Sequence, residues 1–272
     1  LAMKYCSVVP KEVVEHYGKD FRKNPVGTGP FQFQLWQEGV KLVLRKNPDY
    51  FERDEQGNRL PYIDAVAISF IVDKQSVFME FMKGSLDFMS GVEACYKDAL
   101  LTKDGRLNPE YKDKIKMLTG PYLNTEYLGF MLKPDDKKNP LLDKRVRQAI
   151  NYGFDREKMM KYLRNNVGYP GTGGFVPRGM PSHDPARTGG YEYNPKKAAQ
   201  LLAEAGYPGG KGLPPISVAV SASYADLVQY MQHELSQLGI DLRLDVMQGA
   251  QQREMMRSYQ LPFFRGSWIC DY

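Results

Sequence analysis

Arg265, Trp268, Asp271 and Tyr272 stand within one eight-residue stretch, and together they bring a cation, an indole, a carboxylate and a phenol to the end of an apolar run. That is equipment for gripping a zwitterion, because a carboxylate and a guanidinium can pair with opposite charges on one ligand. Arg265, Trp268 and Asp271 are the candidate ligand-binding residues of this stretch. The run starts at Leu261-Pro262-Phe263-Phe264, whose aromatic character predicts a strand. Period two then puts Arg265, Ser267 and Ile269 on one face and Phe264, Gly266 and Trp268 on the other. Arg265 and Trp268 would face apart unless the backbone twists or breaks near Gly266, which a glycine permits. The competing assignments are ordinary ones: Trp268 as a core tryptophan, Asp271 as a turn residue and Arg265 as a solubilising cation on an edge strand.

Other chemistries find little support. His16, His183 and His233 are isolated, none at i, i+4 from another ligand, so no metal site is expected. Cys6, Cys95 and Cys270 are far apart with no C-x-x-C pair, and an odd count forbids complete internal pairing. No nucleophile, base and orienter come together: Ser267 has no histidine nearby, and Asp135-Asp136 lies in a polar loop. Gly27-Thr28-Gly29 is not a nucleotide loop, since no helix follows it and no P-loop lysine is present. No catalytic residues, no cofactor and no enzymatic activity are therefore expected. The formal charge of +5 is spread among acids, as in Asp143-Lys144-Arg145, which reads as a solvated surface rather than a nucleic-acid stripe. No apolar run approaches the ~18 residues of a membrane span, so a soluble piece is expected.

These candidates need elements to position them. Asn24-Pro25-Val26-Gly27-Thr28-Gly29-Pro30 reads as a rigid turn feeding a strand from Phe31, and Glu38-Gly39 closes a hairpin onto Lys41 to Arg45. The pattern predicts a long strand over 62–72, a helix capped by Asp73 and closed by Gly84, a return strand over 86–89, and a short strand over 114–118. After Gly120-Pro121, where the chain reads as joining two domains, an apolar strand runs over 127–132. Asp143, Asp155 and Asn194 read as N-caps of three helices. Strand 216–220, helix 223–238 and strand 240–246 follow. Alternation of this kind predicts an α/β fold with a mixed sheet covered by helices. The long Gly/Pro-rich loop over 169–190 is expected to be functional or mobile.

In order along the chain, Val13-Val14 with Tyr17-Gly18, the Gly27-Thr28-Gly29-Pro30-Phe31 turn, Asn47-Pro48-Asp49-Tyr50-Phe51 and Gly84-Ser85-Leu86-Asp87 form a series of short motifs. Val146-Arg147-Gln148-Ala149-Ile150 with Asp155-Arg156-Glu157, and Tyr193-Asn194-Pro195 with Leu201-Leu202-Ala203-Glu204-Ala205-Gly206, continue it. The series resembles the family 5 extracellular solute-binding proteins of ABC importers, which bind oligopeptides, dipeptides or nickel. The resemblance spans nearly the whole chain. It departs from the family pattern in the lengthened 54–64 connection and in Ser267, where glycine is usual. What it implies is a periplasmic binding protein-like fold of class II, with mixed sheets flanked by helices in two lobes. Residues 1–120 would be part of domain I and 121–272 the first part of domain III, the whole being a middle piece of a longer chain.

By the same resemblance the pattern ending in Arg265, Trp268, Asp271 and Tyr272 faces the ligand. Asp271 would pair with a peptide's α-ammonium, Trp268 would line a side-chain pocket, and Arg265 would meet the peptide's carboxylate. The implied function is capture of a short peptide or related small solute between two lobes by hinge closure, with the permease subunits of an ABC importer as membrane partners. The implied location is the periplasm, or the outer face of the membrane through a lipid anchor. A ligand-sensing module of a transcriptional regulator, a sugar or nickel binder, and a peptide hydrolase are the alternatives.

Overall fold

The computed structural model describes residues 6–133 and 135–270. They divide into two compact units, residues 6–91 and 92–270.

In the first unit α1 (Lys11–Tyr17) precedes β1 (Phe31–Gln37), β2 (Lys41–Lys46) and β3 (Ala65–Ser69), and α2 (Lys74–Met82) follows. The three strands make an antiparallel sheet in the order β1-β2-β3. The expected hairpin forms, with Gly39 in its turn at φ 72°. Buried Asn47 explains why two of the motifs occur together. Its amide donates to the Gly29 carbonyl at 2.9 Å, and its Oδ1 accepts from the Gln32 side chain and the Asp49 N–H, both at 3.0 Å, so it ties the Gly-rich turn to the hairpin. Asp73 caps α2 by accepting from the Ser76 N–H at 2.7 Å, and Gly84 follows at φ 80°.

Two expectations fail in this unit. The strand over 62–72 shrinks to five residues, because β2 offers partners only from Lys41 to Arg45 and a strand needs a ladder as well as a pattern. Residues 86–89 form no strand, so the strand, helix, strand unit is not built.

The second unit contains α3 (Lys97–Leu100), β4 (Asn124–Phe130), α4 (Lys144–Tyr152), α5 (Arg156–Arg164), α6 (Pro185–Thr188), α7 (Pro195–Glu204), β5 (Ile216–Ser221), α8 (Ala225–Ser236), β6 (Leu242–Met247), α9 (Gly249–Arg257) and β7 (Phe263–Ile269). Its sheet runs β4-β7-β5-β6, antiparallel between β4 and β7 and parallel across β7, β5 and β6. Asp143, Asp155 and Asn194 cap α4, α5 and α7 through the N–H groups of Arg145, Lys158 and Lys197 at 2.8, 3.0 and 3.0 Å. The core joins Val146, Ala149 and Ile150 of α4, Ala198 and Leu202 of α7, and Val228, Met231 and Leu235 of α8 to Val218, Val220, Leu242 and Phe263 of the sheet. Phe263 is fully buried and stacks on Phe130 at 4.6 Å, a burial that contributes about 1.5–3 kcal/mol.

Contacts divide the chain between Gly91 and Val92, not near Gly120-Pro121. The reason is Asn165, buried in the left-handed region at φ 46° just past α5. Its amide donates to Asp98 Oδ1 at 3.0 Å and to the Leu101 carbonyl at 3.3 Å, and Asn166 donates to the Lys103 carbonyl at 2.9 Å. Residues 98–103 are thereby fastened to the second unit. Residues 114–118 form no strand.

Candidate functional site

β7 carries two of the four candidate residues within the described region, and its place in the sheet decides what they can do. It is an interior strand, in register with β4 from Asn124 opposite Ile269 to Phe130 opposite Phe263, and parallel to β5 with Ala219 opposite Phe264. Because β5 and β7 are parallel, Ser221 and Ile269 end at the same side of the sheet, where β4 begins and α8 follows from β5. In open α/β sheets, ligands bind outside the carboxyl ends of the parallel strands.

The expected alternation holds through Gly266. No twist or break brings Arg265 and Trp268 together: Gly266 sits opposite Tyr127 in unbroken register. Its small size serves a different purpose. A Cβ there would lie 2.4 Å from Tyr127 Cζ, and one at Gly129 would lie 2.4 Å from Phe264 Cζ. Each glycine is therefore the seat of an aromatic ring from the neighbouring strand.

On the core face, Phe263 points into the apolar centre and Arg265, two residues on, reaches the sheet's carboxyl end. The expectation of an edge-strand cation is overturned, since β7 lies between β4 and β5 and the Arg265 side chain is only 12% exposed. The guanidinium carbon lies 3.3 Å from the centroid of the Tyr224 ring, and Nη2 is ion-paired with Glu126 Oε2. Nε is buried with no hydrogen-bond partner among the described residues. Burial pushes the guanidinium down to about 10, which leaves it charged at neutral pH. Burial also raises Tyr224, with the charge of Glu93 adding to the effect. Glu126 Oε1 accepts from Asn124 Nδ2 at 2.7 Å, and Asn124 Oδ1 accepts from the Ser267 hydroxyl at 2.9 Å. A polar ladder thus crosses β4 and β7 in the order Arg265, Glu126, Asn124, Ser267. Arg164 and Asp226, paired through two bonds of 2.6 and 3.0 Å, fasten α5 to the first turn of α8 nearby in sequence to Tyr224.

The opposite face is apolar. Trp268 is 54% exposed, which removes it from the core and leaves its indole available. Thr125, its partner on β4, donates its hydroxyl to the Phe175 carbonyl at 2.7 Å, and the Phe175 ring lies 5.3 Å from that of Tyr127. The 169–190 loop is thereby anchored to this face. Beneath the sheet on the same side, buried Gln252 of α9 donates to the carbonyls of Ala219 and Arg265 at 3.2 and 2.8 Å, clamping β5 to β7.

Asp271 and Tyr272 lie outside the described residues. Glu126, Asn124, Tyr224 and Phe175 are not among the residues that the sequence pattern singles out. Glu126 is 139 residues from Arg265, and only the β4–β7 register brings them together. The one available signal was the polar start of β4 in Asn124-Thr125-Glu126. Among the described residues no cluster of histidine, cysteine or acidic groups could hold a metal ion, and no helix is long and apolar enough to cross a membrane. Cys6, Cys95 and Cys270 are free thiols.

This architecture is shared. The chain is similar to the DppA periplasmic binding protein of Helicobacter pylori, solved in complex with the peptide STSA, with TM-score 0.75 and 22% identity over 99% of this chain and 49% of that one. In sequence it is 27% identical over 254 residues to the glutathione-binding protein GsiB of Salmonella choleraesuis, covering 92% of this chain and 45% of the relative. It is 28% identical over 251 residues to the oligopeptide-binding protein AppA of Bacillus subtilis, covering 86% of this chain and 42% of the relative. The chain thus spans less than half the length of these curated relatives. The family model described as Bacterial extracellular solute-binding proteins, family 5 Middle, matches residues 1–272 throughout, and with the mixed sheet and its helices in place the chain belongs to that family.

Proposed function

We propose that this chain is part of the substrate-binding component of an ABC importer, and that the whole protein captures short peptides. The observation that carries this reading is the half-exposed Trp268 at the carboxyl end of a parallel strand, in a chain whose relatives include glutathione- and oligopeptide-binding proteins. An exposed indole beside an apolar wall suits a peptide side chain, and Asp271, three residues further, is the proposed partner of its α-ammonium. Residues 6–91 and 92–270 are proposed to belong to separate lobes of the whole protein that close by hinge motion, with binding energy selecting the closed form for the permease subunits. The role is binding rather than catalysis. The proposed location is the periplasm or the outer face of the membrane.

The test uses the intact protein, stripped of ligand by unfolding and refolding. Its melting temperature is followed with di- to pentapeptides, free amino acids, oligosaccharides and Ni²⁺, and hits are repeated on Trp268→Ala and Asp271→Ala. A rise specific to peptides that shrinks in both variants is expected. A response to sugar or metal alone, or a peptide response indifferent to both changes, would discard the peptide reading.

A further inference from the structure

We propose that Glu126 sets the charge selectivity of this site: by holding Arg265 in an internal ion pair against Tyr224, it withholds the guanidinium from ligand and offers a carboxylate edge instead. The inference rests on the peptide-binding reading, and it departs from the expectation that Arg265 meets a peptide's carboxylate.

Exposure decides which of the two charges a ligand meets. The Arg265 side chain is 12% exposed and that of Glu126 is 38% exposed. One face of the guanidinium is covered by the Tyr224 ring at 3.3 Å, one nitrogen is committed to Glu126, and Nε is buried. Little of the cation is left to reach outward. The carboxylate is held in place from the other side, because Asn124 donates to Oε1 at 2.7 Å and is itself fixed by the Ser267 hydroxyl at 2.9 Å. The outward surface of this ladder is therefore rich in acceptors. It suits a neutral or cationic group of the ligand, such as a carboxamide, a backbone N–H or an ammonium. A free carboxylate would meet like charge at Glu126 and would have to displace it from Arg265, and like-charge juxtaposition at a binding surface is strongly discriminating. The placement is consistent with a ligand role, since the ladder lies at the carboxyl ends of β5 and β7.

Glu126→Gln removes the charge, keeps the size and retains an oxygen for Asn124. It leaves Arg265 beneath Tyr224 without its counter-ion, so a ligand carboxylate becomes the preferred partner. Isothermal titration of the intact protein with trialanine and trialanine amide reads this directly, with Glu126→Asp as a charge-preserving control. The wild type is expected to bind the amide at least as tightly as the free acid, and Glu126→Gln to reverse this to a preference of about tenfold or more for the acid, a difference of about 1.4 kcal/mol. Glu126→Asp is expected to keep the wild-type order. A wild-type preference for the free acid of about tenfold would overturn the proposal without any variant having to fold, since Arg265 would then already read the carboxylate. An unchanged ratio in a folded Glu126→Gln protein would overturn it too. If neither peptide binds the wild type while sugars or Ni²⁺ do, the peptide reading itself falls and this inference falls with it.

Discussion

Gly266→Ala separates two explanations of one residue. If Gly266 were a flexible break, alanine would stiffen the strand at little cost; if it is the seat of the Tyr127 ring, alanine collides. The added Cβ would stand 2.4 Å from Tyr127 Cζ, 2.6 Å from its hydroxyl oxygen and 2.8 Å from Cε2. Carbon atoms rest at about 3.5–4.0 Å, so the ring must retreat by more than about 1 Å. Retreat is limited, because the ring also packs against Phe175 at 5.3 Å and Phe264 at 6.4 Å. Overpacking of this kind costs about 1–3 kcal/mol. Replacing a strand glycine by alanine returns about 0.5–1 kcal/mol of backbone entropy. From the middle of these two ranges the expected net loss is about 1.3 kcal/mol, or roughly 2.5–5 °C in melting temperature for a unit of this size. Trp36 and Trp268 lie in different units, so with Trp36→Phe the fluorescence of Trp268 during urea unfolding follows the second unit. In a Tyr127→Ala background the same substitution should become neutral or stabilising, giving a coupling of about 1–3 kcal/mol. A Gly266→Ala protein as stable as wild type, or one equally damaged without the ring, would refute the argument.

Two further predictions concern stability. Gln252→Ala should cost about 1–3 kcal/mol in urea unfolding, because the carbonyls of Ala219 and Arg265 lose a shared donor in a buried position; a loss below the error of the measurement would show that the clamp contributes nothing. Lys103, Lys97 and Asn165 hold the Asp98 carboxyl well below its ordinary value of 3.8. A depressed carboxyl contributes stability that is present above the unfolded value and lost as pH falls below it toward the folded one. Asp98→Asn should therefore flatten the acid limb of the stability profile below about pH 4 and leave its shape at neutral pH unchanged, and parallel acid limbs for the two proteins would contradict this.

What could be read in advance was what short stretches determine by themselves. Asp73, Asp143, Asp155 and Asn194 cap helices through N–H groups two or three residues away, and the Glu38-Gly39 hairpin closes on itself. The strand over 62–72 falls short of its pattern because its length depends on β2, not on its own alternation. Helix α9 is silent in the sequence for a related reason. Its cap, Gln248, makes no side-chain bond, and its one fully buried residue is the polar Gln252, so the segment carries neither a start signal nor an apolar stripe. At the site, the strand's period told which residues share a face. It could not supply Glu126 or Tyr224, which only the sheet register and the entry of α8 place against Arg265.

The interior position of β7 also orders events in time. Ser267 meets Asn124 across 143 residues of chain, so the sheet cannot close until almost all of the second unit has been synthesised. Until then β4 and β5 each expose a strand edge that β7 will later occupy. Closure over such sequence distances is slow, since loop entropy must be lost before the contacts form. The waiting chain is then a natural client for factors that shield apolar strands. Of the sheet's four strands the last to emerge is the one that carries Arg265 and Trp268, so both residues take their places in the same step that joins β4 to β5.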